Sequence, residues 1–116
     1  MVVLVTGDRW WTDARPILRE LRKLPRDTCI VHGGARGADT IADSLARALG
    51  MPTRSYPADW SVFRKRAGPI RNQEMLDKEH PSLVLAFHEY IESSSGTADM
   101  IARAKAADIE VRLFSK

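Results

Sequence analysis

The chain has 116 residues, 44% hydrophobic and 28% charged, with a formal net charge of +3 and a single cysteine. That length supports one domain over residues 1–116 with one core, and the composition is that of an ordinary soluble protein, not a disordered or fibrous one. No apolar run approaches the roughly 18 residues that span a bilayer, no leader precedes a cleavage site, and one cysteine excludes an internal disulfide framework; the expected compartment is a reducing cytoplasm, with no membrane partner.

Short apolar runs alternate with helical stripes from end to end. Val2 to Val5 predicts the first strand, closed by the turn residues Thr6, Gly7 and Asp8. Ile17, Leu18, Leu21 and Leu24 keep helical spacing up to Pro25. Cys29 to Val31 is the second strand, where Cys29 reads as an inert core thiol. After the stretch His32 to Asp39, a helix over Thr40 to Leu49 turns Ile41, Ala42, Leu45, Ala46 and Leu49 inward and stops at Gly50. A weaker third strand covers Thr53 to Tyr56. Pro57 to Gly68 has no clear pattern, and loops of that length are often functional. Pro69 fits a first turn ahead of a helix over Ile70 to Lys78, and Leu83 to Phe87 is the fourth strand. Thr97 caps a helix with Met100, Ile101, Ala104 and Ala107 inward, and Glu110 to Phe114 is the last strand. Such alternation implies an α/β fold: a doubly wound parallel sheet of about five strands, covered on both faces.

In such a sheet, ligands bind beyond the carboxyl ends of the strands, where the strand order reverses. The unusual residues gather on those ends. Gly33, Gly34 and Gly37 lie within five residues at a strand-to-helix junction, where glycine permits φ > 0 and close approach to a ligand. The helix start adds unpaired N–H groups and a positive dipole end, so Gly33, Gly34, Ala35, Arg36 and Gly37 read as a phosphate site. Arg36 supplies a bidentate, charge-assisted contact; the plainer reading is a tight turn with an exposed arginine. Asp39 is better explained as a complement to the helix dipole than as a ribose contact.

Arg9 reads as a second phosphate clamp, against a solvated arginine paired with Asp8 or Asp13. Trp10 and Trp11 are adjacent and cannot both face one core, so one packs inward and the other is free to stack on a base. Trp60 is the rival stacking platform. Arg71 and Asn72 open a helix and offer either a phosphate contact or a hydrogen bond that shapes the site. Ser95, Gly96 and Thr97 offer hydroxyl and N–H groups to a second phosphate, and Asp99 complements the dipole. His32, His80 and His88 are scattered and have no cysteine partner, so no metal site is expected.

Four ordered stretches then carry a resemblance: Thr6-Gly7-Asp8-Arg9, His32 to Asp39, Ala67-Gly68-Pro69-Ile70-Arg71-Asn72-Gln73-Glu74-Met75, and Ser95-Gly96-Thr97-Ala98-Asp99-Met100. Over nearly the whole chain they resemble the small stand-alone, Rossmann-like SLOG proteins of the YspA- and YpsA-related branch. That superfamily also holds the Lonely-guy phosphoribohydrolases and the DNA-processing protein of natural transformation. The resemblance implies a strand order of 3-2-1-4-5 with the switch point between strands one and four, and a phage or bacterial source. It also implies a nucleotide or nucleotide-derived ligand held by residues that include Thr6 and Gly7. A homodimer is implied as well, with Tyr90 and Ile91 as candidate interface residues.

Two departures stand out. Lonely-guy enzymes carry Pro-Gly-Gly-x-Gly-Thr-x-x-Glu after the fourth strand; here Met100 stands at the glutamate position and serines replace the paired glycines. A thioether is neither a general acid nor a base. The second departure is Arg64, where relatives of this branch often have glycine.

These readings converge on binding of a phosphate-bearing nucleotide or nucleotide derivative, ADP-ribose or similar, with no cofactor beyond that ligand. Two rivals stay open. One is an enzyme cleaving the N-glycosidic bond of a nucleoside monophosphate, with Asp8, Glu89 and Asp99 as the candidate carboxylates. The other is single-stranded nucleic-acid binding through Trp60, Arg64, Lys65 and Arg66, against which the modest net charge argues. In the first reading, the stretch from Phe63 to Arg66 is instead a lid over the small ligand.

Overall fold

In the computed structural model, which describes residues 1–115, the apolar runs become five parallel strands. They are β1 (Val2–Gly7), β2 (Cys29–His32), β3 (Thr53–Ser55), β4 (Leu83–Phe87) and β5 (Glu110–Phe114). Their order in the sheet is β3-β2-β1-β4-β5, the order that the family resemblance implies. The helices are α1 (Ala14–Arg22), α2 (Ala38–Ala48), α3 (Trp60–Phe63), α4 (Ala67–Glu79) and α5 (Gly96–Ala106). Successive side chains on a strand point to opposite faces, and β1 uses this alternation fully. Val3 and Val5 pack with Ile17 and Leu21 of α1 and with Ala42 and Ala46 of α2. Leu4 packs with Met75 and Leu76 of α4 and with Met100 and Ala104 of α5. Each face of the sheet thus buries one apolar layer under two helices. Among the described residues, no helix is long and apolar enough to cross a membrane.

The boundaries differ from expectation where tertiary pairing extends an element. β1 runs on through Thr6 and Gly7, which pair with Ala86 and Phe87 of β4. β3 ends at Ser55, although the Tyr56 amide still donates to the His32 carbonyl. The stretch from Pro57 to Gly68 is not patternless. Asp59 caps the short helix α3, a 3₁₀ turn follows at Arg64–Arg66, and α4 begins at Ala67. Pro69 is tolerated inside that first turn, because its missing N–H would have no intrahelical acceptor there. Thr97 is not the cap of α5. Ser94 Oγ accepts from the Thr97 and Ala98 amides at 3.0 and 3.3 Å, and Thr97 lies buried one residue inside the helix. Ala107 lies beyond the end of α5 and is exposed.

The tandem tryptophans divide as expected. Trp11 is buried edge-on against Phe87, with ring centroids 5.8 Å apart, and Trp10 is 71% exposed. Cys29 is a buried core thiol, and burial pushes its pKa up.

Candidate functional site

Beyond the carboxyl ends of β1 and β2, two loops are fastened together by a glycine. Gly37 has φ of +72°, and a Cβ there would overlap the Asp8 carbonyl and the Arg9 backbone. Only glycine meets both demands. The Asp8 carbonyl then accepts from the Ala38 amide at 3.1 Å, at the start of α2. The side chain of Asp8 turns back on its own loop, accepting from the Trp10 amide at 3.0 Å, which sends the Trp10 ring outward.

The loop after β2 is held from within. Asp39 Oδ2 accepts from the Gly33 and Ala35 amides at 3.0 and 3.3 Å, and His32 Nδ1 accepts from the Gly34 amide at 3.0 Å. Since Nδ1 is an acceptor, the His32 proton belongs on Nε2, which lies 2.8 Å from Asp43 Oδ1. Asp39 is buried, with 5% relative exposure, and its Oδ1 has no partner among the described residues. Burial raises its pKa to about 6, against the opposing pull of His32, the loop amides and Arg71. Three of the loop amides that the sequence offers to a phosphate are therefore already satisfied by the protein.

The loop nevertheless walls a cavity of about 510 Å³. Its lining takes in Gly33 to Arg36, Arg9 and Trp10 from the loop after β1, Pro57, Ala58 and Trp60 from the segment after β3, and Arg71 from α4. Both tryptophans named as rival stacking platforms thus face one space, together with three arginines and, among the described residues, no carboxylate. None of the three arginines belongs to an ion pair among the described residues.

Arg71 is the best anchored of them. Its Nη1 donates to the Gly33 and Tyr56 carbonyls at 2.7 and 3.3 Å, and its Nε donates to Asn72 Oδ1 at 3.0 Å. Burial lowers its pKa, with nearby Asp39 pulling the other way, and a guanidinium stays charged regardless. Asn72 is buried and passes the connection on, donating from Nδ2 to Asp99 Oδ2 at 3.0 Å and to the Gly96 carbonyl at 3.3 Å. Asp99 also receives Arg103 Nε at 2.8 Å. A polar chain therefore ties the glycine loop to the start of α5.

The remaining residues singled out from the sequence lie elsewhere. Thr6 and Gly7 sit within β1, with Gly7 enclosed by Phe87 and Ala38, and neither lines the cavity. Asn72, Ser95, Gly96 and Thr97 are likewise outside its lining, as are Asp8 and Glu89. Arg64, Lys65 and Arg66 are exposed and do not line it either, so the wall on that side is Ala58 and Trp60 rather than the three cations. Met100, at the position where Lonely-guy enzymes have glutamate, is fully buried beneath the sheet. The sequence signalled neither the double acceptance by Asp39 nor the Ser94 cap. Among the described residues there is no group of three or more histidine, cysteine, aspartate or glutamate side chains placed to hold a metal ion.

Residues 1–63 match the model of the YspA, cpYpsA-related SLOG family. The chain is also 36% identical over 121 residues to the Gene 61 protein of Mycobacterium phage D29, an alignment covering 97% of this chain and 94% of that protein. The matched segment contains every cavity residue except Arg71.

Proposed function

The chain belongs to the YspA, cpYpsA-related SLOG family, and from that premise we propose that it binds a phosphate-bearing nucleotide or nucleotide derivative, such as ADP-ribose, in the cavity beyond β1 and β2. The observation that carries this reading is the lining itself: Arg9, Arg36 and Arg71 with Trp10 and Trp60, and no carboxylate. Guanidinium forks match phosphate oxygens in bidentate geometry. Indole faces stack on bases, at about 1–3 kcal/mol per base. A cavity with both fits a ligand that carries both a base and an anion.

The division of labour follows from the hydrogen bonds. Because Asp39 and His32 occupy the amides of residues 33–35, the arginine side chains take the phosphate, and the loop serves to aim Arg36. Asn72 acts through Arg71, whose Nε it fixes. The reading asks for no cofactor besides the ligand. It is favoured over N-glycosidic hydrolysis because Asp99 is held between Asn72 and Arg103 and position 100 carries a buried thioether. It is favoured over strand binding because the cations at 64–66 stand apart from the aromatic cavity.

The direct test is native mass spectrometry of freshly purified protein, followed by thermal unfolding against a panel of nucleotides. A co-purified nucleotide, or a raised Tm that Arg36→Ala abolishes, supports the proposal. No bound nucleotide and no shift across the panel would sink it.

A further inference from the structure

We propose that the outward face of α4 is a homodimer interface, in which α4 of one copy lies antiparallel on α4 of a second copy with Ile70 at the two-fold axis. A groove of about 590 Å³ runs along this helix, and its walls include Arg66, Ile70, Glu74 and Asp77. Side chains four residues apart on a helix stand one above the other, so Ile70 and Glu74 share a stripe, which Arg66, the N-cap of α4, continues along the groove. At the middle of that stripe Ile70 is 39% exposed, with a cation one turn before it and a carboxylate one turn after it. An axis through Ile70 sets Arg66 of each copy opposite Glu74 of the other. One apolar contact is then framed by two ion pairs, an isologous arrangement that closes on itself.

The order of charges along α4 points the same way. Three cations, Arg64, Lys65 and Arg66, lead into its N-terminus, and its first turn holds no acidic residue. Glu74 and Asp77 lie in the second half of its outward face, with Lys78 the one cation of its last turn. A helix dipole favours the reverse order. An antiparallel copy eases the conflict, because an axis through Ile70 sets residues 64–66 opposite residues 74–76 and so brings Glu74 of the second copy to the cationic start. Glu74 is free to change partners: its pairing with Lys78 is long, at 3.7 Å, and both side chains are exposed. Val62 and Phe63, 64% and 40% exposed, extend the apolar surface at the same end. The occupant is a second copy and not a nucleic acid, since the groove sets Glu74 and Asp77 among Arg66, Lys78 and Arg103, and such a mixed-sign lining complements its own two-fold copy better than a uniformly anionic backbone.

The test is the oligomeric state of the full chain by sedimentation equilibrium, with circular dichroism to check the fold of each variant. The wild type is expected to be a dimer. Arg66→Glu and Glu74→Arg should each weaken it by about tenfold or more, because each places like charges together. The double variant R66E/E74R should restore it, and Ile70→Asp should give a folded monomer. A wild type that stays monomeric overturns the proposal. So does a dimer indifferent to Ile70→Asp, or single charge reversals that the double variant fails to rescue. A dimer broken instead by Tyr90→Asp would place the interface at the loop after β4.

Discussion

The carbonyl oxygen of Gly33 accepts from Nη1 of Arg71 at 2.7 Å, and the same guanidinium fills the space that a side chain at position 33 would need. The glycine therefore serves Arg71 as much as its own loop. With no Cβ at 33, a cation from α4 reaches under the loop after β2 and also takes the Tyr56 carbonyl. Alanine at 33 pushes that guanidinium out and breaks hydrogen bonds made by a charged donor, each worth about 1.5–3 kcal/mol when well shielded. Arg71 is only partly buried, so we expect Gly33→Ala to cost about 2 kcal/mol in urea unfolding and to weaken nucleotide binding. Arg71→Lys should do the same, since a single ammonium cannot serve Gly33, Tyr56 and Asn72 together. If Gly33→Ala were neutral in both measurements, Arg71 would not be the strut of this site.

Ligand binding makes a sharper demand on Arg36. Its side chain is exposed and, among the described residues, makes no hydrogen bond or ion pair, so Arg36→Ala should leave the Tm of the free protein unchanged. A ligand that binds only the folded state stabilises by about 2.7 kcal/mol at a hundredfold excess over Kd. We expect ADP-ribose or an adenine nucleotide to give such a shift, and Arg36→Ala to remove most of it. Trp10 and Trp60 line the same cavity, so binding should quench tryptophan fluorescence, and Trp10→Ala and Trp60→Ala should each reduce the quench. Replacing Arg64, Lys65 and Arg66 with serine should leave nucleotide affinity nearly untouched. A steep loss in that triple variant would restore those cations to the role of a lid. Tight oligonucleotide binding by the parent, falling by about the 0.7 power of salt per phosphate contact, would favour strand binding instead.

Much of this site is legible in the sequence, for reasons that differ from residue to residue. Glycines punctuate the His32-to-Asp39 stretch so densely that its loop character needs no tertiary information. Adjacent tryptophans must split between core and solvent, and Trp11 and Trp10 do. The type of Arg71 was readable but not its target, because the Gly33 carbonyl lies 38 residues away and is brought near only by the crossover from β3 to β4. The capping of α5 was not readable either. Ser94, Ser95 and Thr97 are all hydroxyl residues within four positions, and only the backbone path decides that Ser94 reaches the amides of Thr97 and Ala98. The run after Pro57 hides a helical turn because Trp60 to Phe63 buries nothing, so no periodicity marks it.

Arg64 holds a backbone conformation that suits glycine. Its φ of +53° with ψ of −124° matches the first central position of a type II′ turn. The loop holds this glycine-like geometry under an arginine. Such a conformation costs a side-chain-bearing residue on the order of 1–3 kcal/mol, partly offset by the greater freedom of glycine in the unfolded chain. Arg64→Gly should therefore stabilise the protein by about 1 kcal/mol in thermal unfolding. Arg64→Ala keeps the Cβ and should not. Equal effects of the two substitutions would mean that the charge of Arg64, and not its backbone, sets the change.

Asp39 gives the pH prediction, and its sign runs opposite to that of most carboxylates. Burial lifts its pKa from an ordinary 3.8 to about 6, so between those values the folded state binds more protons than the unfolded one. Its contribution to stability is greatest below pH 4, declines as pH rises through 6, and is level above that. At about 1.36 kcal/mol per unit, the decline is on the order of 3 kcal/mol. Asp43 and Glu79 run the other way. Burial raises Asp43, but hydrogen bonds from His32, Arg47 and Thr53 outweigh it and hold its carboxyl low; the hydrogen bond from Arg54 lowers Glu79. The wild-type curve alone would mix these effects, so the comparison is with Asp39→Asn. The asparagine Oδ1 can still accept from the Gly33 and Ala35 amides, but its Nδ2 is buried without an acceptor where Asp39 Oδ1 stands, so the variant starts at a disadvantage at pH 4. That disadvantage should shrink steadily from pH 4 to pH 7 in urea unfolding, as the wild type alone takes on a buried charge. Parallel stability curves for the two proteins over that range would show that Asp39 titrates normally and that the loop does not depend on a strained carboxylate.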